Sequence, residues 1–280
     1  MKFKLLKRLF TNKNAAFGLA VIFITVIVAV AAPHIAPHNP FEQNLLNRLK
    51  PPSLENPLGT DGHGRDLLSR VIFGSRISLQ VGLISVGIGL GIGVPLGLIA
   101  GYFGGVPGEF IMRLIDVMMS FPGILLALVV VAVLGPGLFN VMVAIGIWSV
   151  PMFTRVVRGS TLSLREEQFI EAAKALGAGD LKIIFKHVLP NCLAPILVLS
   201  TLRLATAILS AAALSFLGLG AQPPTPDWGA MLSAGRNYLR NAWWFSTFPG
   251  LAIMFVVLGF NLLGDGLRDI LDPKMRGNVK

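Results

Sequence analysis

His34 and His38 stand four residues apart, the interval at which two imidazoles on one helical face can hold a metal ion. Pro37 lies between them and breaks the turn that would present both, so we assign no metal there. Asp61, His63 and Asp66 form a second group of possible ligands, interleaved with Gly62 and Gly64. That interleaving reads as turn chemistry, in which short acidic side chains bond nearby backbone N–H groups. The single cysteine, Cys192, excludes an internal disulfide and a cysteine-rich metal site. No Ser-His-Asp or Cys-His arrangement can be drawn. A phosphate-cradling loop needs a Gly-Lys pair, and none occurs; Gly101 to Gly108 is rich in glycine but lacks lysine. Energy from ATP would therefore have to enter through another subunit.

The elements that position these residues are apolar. The 280 residues are 54% hydrophobic and 14% charged, with mean hydropathy +0.71. Soluble domains carry roughly a quarter charged residues. The apolar blocks reach about 20 residues, enough to cross a bilayer as helix. We place spans in Asn14–Phe41, Ile77–Gly108, after Pro195, and between Asn241 and Gly264. Val117 to Thr154 is free of charge, about 57 Å as helix, and suits two crossings split at Gly135-Pro136-Gly137. The fold class is an all-α integral membrane protein with six spans. A basic start followed by Ala29-Val30-Ala31 shares features with a secretory signal. The apolar run of about 18 residues is longer than a signal core, and we expect an uncleaved span.

Net charge is +10, yet the basic residues sit at the ends of apolar blocks, which suits a bilayer rather than nucleic acid. Lys2, Lys4, Lys7, Arg8, Lys13, Arg113, the basic residues of 155–190 and those from Arg268 onward fall on one side. By the positive-inside rule that side is cytoplasmic, with both termini. Arg203 alone lies within a span, where an arginine lines a cavity, meets an acid, or reaches back to the headgroups. Arg113 with Asp116, and Asp265 with Arg268 and Asp269, have the spacing of pairs across one helical turn. Ser85, Gly89, Gly93, Gly97 and Gly101 recur every four residues, a stripe that lets another helix approach closely. That helix could belong to this chain or to another. Pro95, Pro122 and Pro151 mark sites for kinks.

Between two spans lies a polar elbow. Ser163 and Glu166 have the spacing of a capping box. Phe169, Ala172, Ala173 and Leu176 then share one helical face, and Gly177 can end that helix in a left-handed turn. Asp180 can cap a second helix with Leu181, Ile184, Phe185 and Val188 on one face, stopped by Pro190. Such a helix-turn-helix can lie on the headgroups, apolar faces down, or protrude into a groove of a partner.

Glu171-Ala172-Ala173, Gly177 and the Leu189-Pro190 ending resemble the EAA loop of ABC importer permeases. Leu58 to Arg70, Gly74-Ser75-Arg76, Gly101 to Gly105, Gln222 to Gly229 and Asn261 to Asp269 are similar to the C-type subunit of dipeptide/oligopeptide permeases. Arg203 departs from that pattern. The resemblance implies the type I ABC importer permease fold. It divides the chain into 1–76 (tail, first span, external loop), 77–272 (permease domain, coupling loop 159–190) and 273–280 (tail). It implies that Glu171, Ala172, Ala173, Leu176, Gly177 and Asp180 couple to an ATPase. Arg203 becomes a path residue, and Asp227 with Trp228 a docking point for a binding protein, although Trp228 could equally anchor at the interface. The implied partners are a second, different permease chain, two cytoplasmic ATPases that bind ATP and Mg, an extracytoplasmic peptide-binding protein and lipid, in a bacterial or archaeal cytoplasmic membrane. Nickel chelates or glutathione are alternative cargo. A self-contained channel or carrier is the alternative of another class.

Overall fold

A computed structural model describes residues 12–271. Its helices are α1 (Lys13–Ile35), α2 (Leu67–Tyr102), α3 (Gly105–Ser120), α4 (Gly123–Leu134), α5 (Leu138–Arg165), α6 (Gln168–Ala175), α7 (Asp180–Ile183), α8 (Leu189–Phe216), α9 (Trp228–Gly235) and α10 (Trp244–Leu271). A single π turn, Ile184–Val188, joins α7 to α8. Among the described residues five segments are long and apolar enough to span a bilayer: α1, α2, α5, α7–α8 and α10. The basic clusters before Asn12 and after Leu271 lie outside the described residues, as does the 273–280 tail.

Asn12 opens α1, its side chain accepting the N–H groups of Asn14 and Ala15. Small residues then seat α1 on α10. A Cβ on Gly18 would stand 2.6 Å from the Gly259 carbonyl oxygen, and one on Gly259 would press Val21 at 2.9 Å. Gly266 packs on Ala15. Rising numbers on α1 meet falling numbers on α10, so the helices are antiparallel and Lys13 and Leu271 lie at one end of the bundle.

The small-residue stripe of α2 meets α5 of the same chain, which answers the question the sequence left open. Gly89 faces Ser149 and Phe153, Gly93 faces Phe153 and Val150, Gly97 faces Thr154 and Val157, and Gly101 faces Thr161. Ser85 Oγ donates to the Met142 carbonyl at 3.0 Å. Phe153, Val141, Ile145 and Leu214 are fully buried around this seam.

Two span expectations need correction. The run from Val117 does not make a plain third crossing: α3 and α4 meet at 93° across Phe121 and Pro122. With 12 residues, α4 is about 18 Å long, short of the roughly 30 Å hydrocarbon core. The crossing is thus a broken pair. The turn at Gly135-Pro136-Gly137 forms as expected, with Gly135 at φ +89° and Asn140 Nδ2 donating to the Leu134 and Gly135 carbonyls. The boundary placed at 76/77 falls inside α2, which begins at Leu67, where the Asp66 carboxylate accepts the Ser69 N–H at 2.7 Å. Asp116 pairs with Arg155 on α5 at 2.6 Å and not with Arg113. Among the described residues Asp265, Arg268 and Asp269 form no ion pair.

Residues 36–66 and 217–243 fold together as a cap over one end of the bundle. Trp244 Nε1 donates to the Thr60 carbonyl at 3.3 Å, and Trp228 Nε1 to the Val71 carbonyl at 2.9 Å. Thr60 Oγ1 donates to the Asn47 carbonyl. The Asp61 carboxylate accepts the His63 and Arg65 N–H groups at 2.8 and 3.0 Å, the turn chemistry its neighbours suggest. Among the described residues no three His, Cys, Asp or Glu side chains gather as a metal site.

Candidate coupling elbow

The elbow occupies the end of the bundle opposite the cap. Ser163 and Glu166 form no capping box, because α5 runs on to Arg165 and keeps Ser163 inside it. After α6, Gly177 takes φ +77°; its N–H donates to the Lys174 carbonyl at 2.9 Å and that of Ala178 to the Ala173 carbonyl at 3.0 Å. This pair of bonds is a Schellman close, and the left-handed residue in it favours glycine. Asp180 does not cap α7; Gly179 holds that position. Pro190 does not stop the helix either. It stands just after the π turn, in which the Leu189 N–H donates to the Ile184 carbonyl, and the wider turn carries the chain past the proline from α7 straight into the span.

The inward face also differs from expectation. Ile170 and Ile183 are fully buried, and Ile184 and Val188 join them against Leu98, Tyr102 and Val157. Phe169, Leu176, Leu181 and Phe185 are exposed at 42%, 88%, 69% and 63%. Glu171 and Ala172 are exposed too, while Ala173 is half-buried. The elbow is therefore seated on the spans by isoleucines and turns an apolar surface outward.

Tyr102, the last residue of α2, holds this arrangement and was not singled out by sequence reasoning. Its hydroxyl donates to Asp180 Oδ1 at 2.7 Å. The Lys174 ammonium lies 5.6 Å from its ring centroid, within cation–π range. Arg165 Nη1 donates to its carbonyl at 3.3 Å. One buried side chain and its backbone thus touch the end of α5, α6 and the start of α7. The only signal in the sequence is the Gly101-Tyr102-Phe103-Gly104 stretch, which carries no periodicity of its own.

The other site residues lie elsewhere. Arg203 on α8 is half-buried and meets no acid among the described residues; its guanidinium lies 5.7 Å from the Trp148 ring centroid. Trp148 in turn packs on Gly123, just past the break at Pro122. Asp227 and Trp228 are buried, at 4% and 3% exposure, so neither side chain offers a direct docking point. They fix α9 to α2 instead, Asp227 capping α9 by accepting the Ala230 N–H at 2.9 Å.

Burial pushes the Asp227 carboxyl above the usual carboxylate range. A carboxyl with a raised folded-state pKa contributes its full stability below the unfolded-state pKa and loses it as pH rises through the folded value. Asp227→Asn keeps an acceptor for the cap and removes the charge. Its thermal unfolding, followed by tryptophan fluorescence in detergent, should fall less with rising pH than that of the unaltered chain. Parallel pH profiles would show that this carboxyl does not titrate with folding.

The comparisons with known proteins agree with one another. Residues 93–277 match the family model described as the binding-protein-dependent transport system inner membrane component. Residues 4–52 match that of the N-terminal TM domain of oligopeptide transport permease C. The dipeptide transport system permease protein DppC of Alkalihalophilus pseudofirmus is 53% identical over 270 residues, 96% of this chain and 89% of that protein. The di/tripeptide transport system permease protein DppC of Pseudomonas aeruginosa is 49% identical, with 95% and 89% covered. The glutathione transport system permease protein GsiD of Escherichia coli is 50% identical, with 96% and 90% covered. An inward facing structure of the MetNI methionine ABC transporter superposes with TM-score 0.58 at 22% identity, over 72% of this chain and 96% of that one, which speaks to the fold. With a matching model over most of its length and relatives near half identity throughout, the chain belongs to the family of binding-protein-dependent transport system inner membrane components.

Proposed function

We infer that this chain is one transmembrane subunit of an ATP-driven importer of di- and oligopeptides, and that its elbow receives force from a separate ATPase. The observation that carries the coupling role is the outward apolar surface of Phe169, Leu176, Leu181 and Phe185 on an element whose isoleucines already seat it on the spans. Exposed apolar helical faces of this kind seat in grooves of partner proteins. Glu171, Ala172, Ala173 and Gly177 shape the same knob, and Asp180 ties it to the spans through Tyr102. In this reading the elbow, within 159–190, and both termini face the cytoplasm, and the cap faces outward.

The assembly comprises this chain, a second and different permease, two ATPases that bind ATP and Mg, and an extracytoplasmic binding protein. This chain, which lacks a Gly-Lys pair, contributes no ATP hydrolysis of its own. Closure of the ATPase pair displaces the elbow, and the π turn transmits that displacement into α8 without a break in the helix. Arg203 and Trp148, beside the broken crossing, line the path. The outer loops frame the surface for the binding protein, held by Asp227 and Trp228 from beneath.

Peptide cargo rests on the relatives named for dipeptides and di/tripeptides, and the relative named for glutathione supports a second reading. The test is uptake into proteoliposomes holding the assembly purified on this chain, with its binding protein outside. Radiolabelled dipeptide should accumulate only with ATP inside, and excess glutathione should not compete. Accumulation of glutathione alone would transfer the cargo to the second reading. Passage of solute without ATP or partners would make the chain a channel or carrier.

A further inference from the structure

We propose that the cap holds a binding pocket for a carboxylate attached to an apolar group, the chemistry of a peptide's C-terminal residue. A cavity of about 400 Å³ opens between the 61–70 segment and α9, a volume within the usual range of small-ligand pockets. Arg65 and Arg70 line it, with side chains 8% and 4% exposed. Met231, Ala234 and Phe245 give it apolar walls.

The charges in this pocket do not balance. Arg65 Nε donates to Asp61 Oδ2 at 2.6 Å, and Arg70 Nε stands 3.5 Å from the same oxygen. The other Asp61 oxygen is occupied by the backbone N–H groups of His63 and Arg65. Two buried guanidiniums therefore share one carboxylate. Arg70 Nη1 donates to the carbonyls of Pro40 and Pro224 at 2.9 and 3.2 Å, while its Nε, fully enclosed, has no hydrogen-bond partner among the described residues. Arg65 Nη2 lies 3.3 Å from His63 Nδ1, a neutral partner when that nitrogen accepts. An excess buried cation costs free energy that an entering anion recovers. Guanidinium forks match the two oxygens of a carboxylate, which selects this anion over a spherical one. The apolar walls then favour an anion carrying a hydrophobic side chain. The pocket goes beyond the import reading, on which only the peptide as source of the carboxylate rests.

The test uses the purified permease–ATPase assembly in nanodiscs, without binding protein, titrated calorimetrically with Ala-Phe and with Ala-Phe amide. The dipeptide should bind at least tenfold more tightly than its amide. Arg65→Gln should remove that preference, Arg65→Lys should restore part of it, and Ala234→Leu should weaken both ligands by narrowing the cavity. Arg70 is left intact because it also holds Pro40 and Pro224. Thermal unfolding of each variant shows that the cap remains folded. Equal binding of dipeptide and amide, no binding, or variants that bind as the parent does would overturn the proposal. If the dipeptide does not bind but Arg65→Gln loosens the binding protein, the carboxylate comes from that protein and the peptide assignment is lost. Uptake measured on the same preparations keeps the two readings apart: peptide import with unchanged pocket variants removes the pocket alone.

Discussion

Replacing Gly97 with leucine is expected to leave little folded chain in the membrane. A Cβ at this position would stand 2.7 Å from both the Thr154 carbonyl oxygen and Val157 Cβ. At Gly93 it would stand 2.7 Å from Phe153 Cβ and 2.8 Å from the Val150 carbonyl oxygen. The neighbours are backbone or Cβ atoms of α5, which no rotamer change can move aside. The two helices would have to separate along the whole stripe. In lipid this is severe, because packing rather than the hydrophobic effect holds spans together. Overfilling a soluble core costs about 1–3 kcal/mol, and here the Ser85 bond to Met142 and the Phe153 contacts are lost with it. Gly91→Leu is the control, since a Cβ there meets nothing within 4 Å. Fluorescence-detected size exclusion should show a monodisperse peak for Gly91→Leu and at least a tenfold smaller one for Gly97→Leu. Equal peaks would mean that the α2–α5 seam does not hold the bundle.

This seam shows how far the sequence could be read. Glycine every four residues signals a close approach but carries no address, so the partner helix became known only with the fold. The charge-free run after Val117 was legible as more than one crossing, and Pro122 as a bend. Nothing in a uniformly apolar segment says how sharply it turns. Arg113 and Asp116 have ideal local spacing, yet Arg155 on a neighbouring helix reaches Asp116 at 2.6 Å. Gly177 was legible as the left-handed close of a short helix, whereas the second helix, expected to stop at Pro190, runs on into the span. The inner face of the elbow was not legible. With eight and four residues, α6 and α7 are too short for periodicity to separate two apolar faces, and packing chose the isoleucines. Tyr102 was invisible for a related reason: its role lies in touching three elements distant in sequence.

Those contacts make the elbow a single body, and Gly177→Pro should detach it. Proline fixes φ near −65°, whereas Gly177 sits at +77°. It also lacks the N–H that now donates to the Lys174 carbonyl. The Schellman close is lost, and the outward Phe169 and Leu176 no longer keep register with Leu181 and Phe185. Uptake by the reconstituted assembly should fall at least tenfold while its ATP hydrolysis continues. Glu171→Lys, which reverses an exposed charge on the same knob, should act in the same direction. Tyr102→Phe separates the two ways such a loss could arise. It leaves the outward face and the ring under Lys174 intact and removes only the bond to Asp180, worth about 1 kcal/mol because Asp180 is open to water. If the elbow works by docking alone, Tyr102→Phe should transport as the parent does. If it works as a lever, the ratio of peptide moved to ATP hydrolysed should drop about two- to fivefold with ATPase binding unchanged. A lever needs a rigid joint at both ends, and the Tyr102 bond to Asp180 with the unbroken run from α7 into α8 would have to serve as those joints.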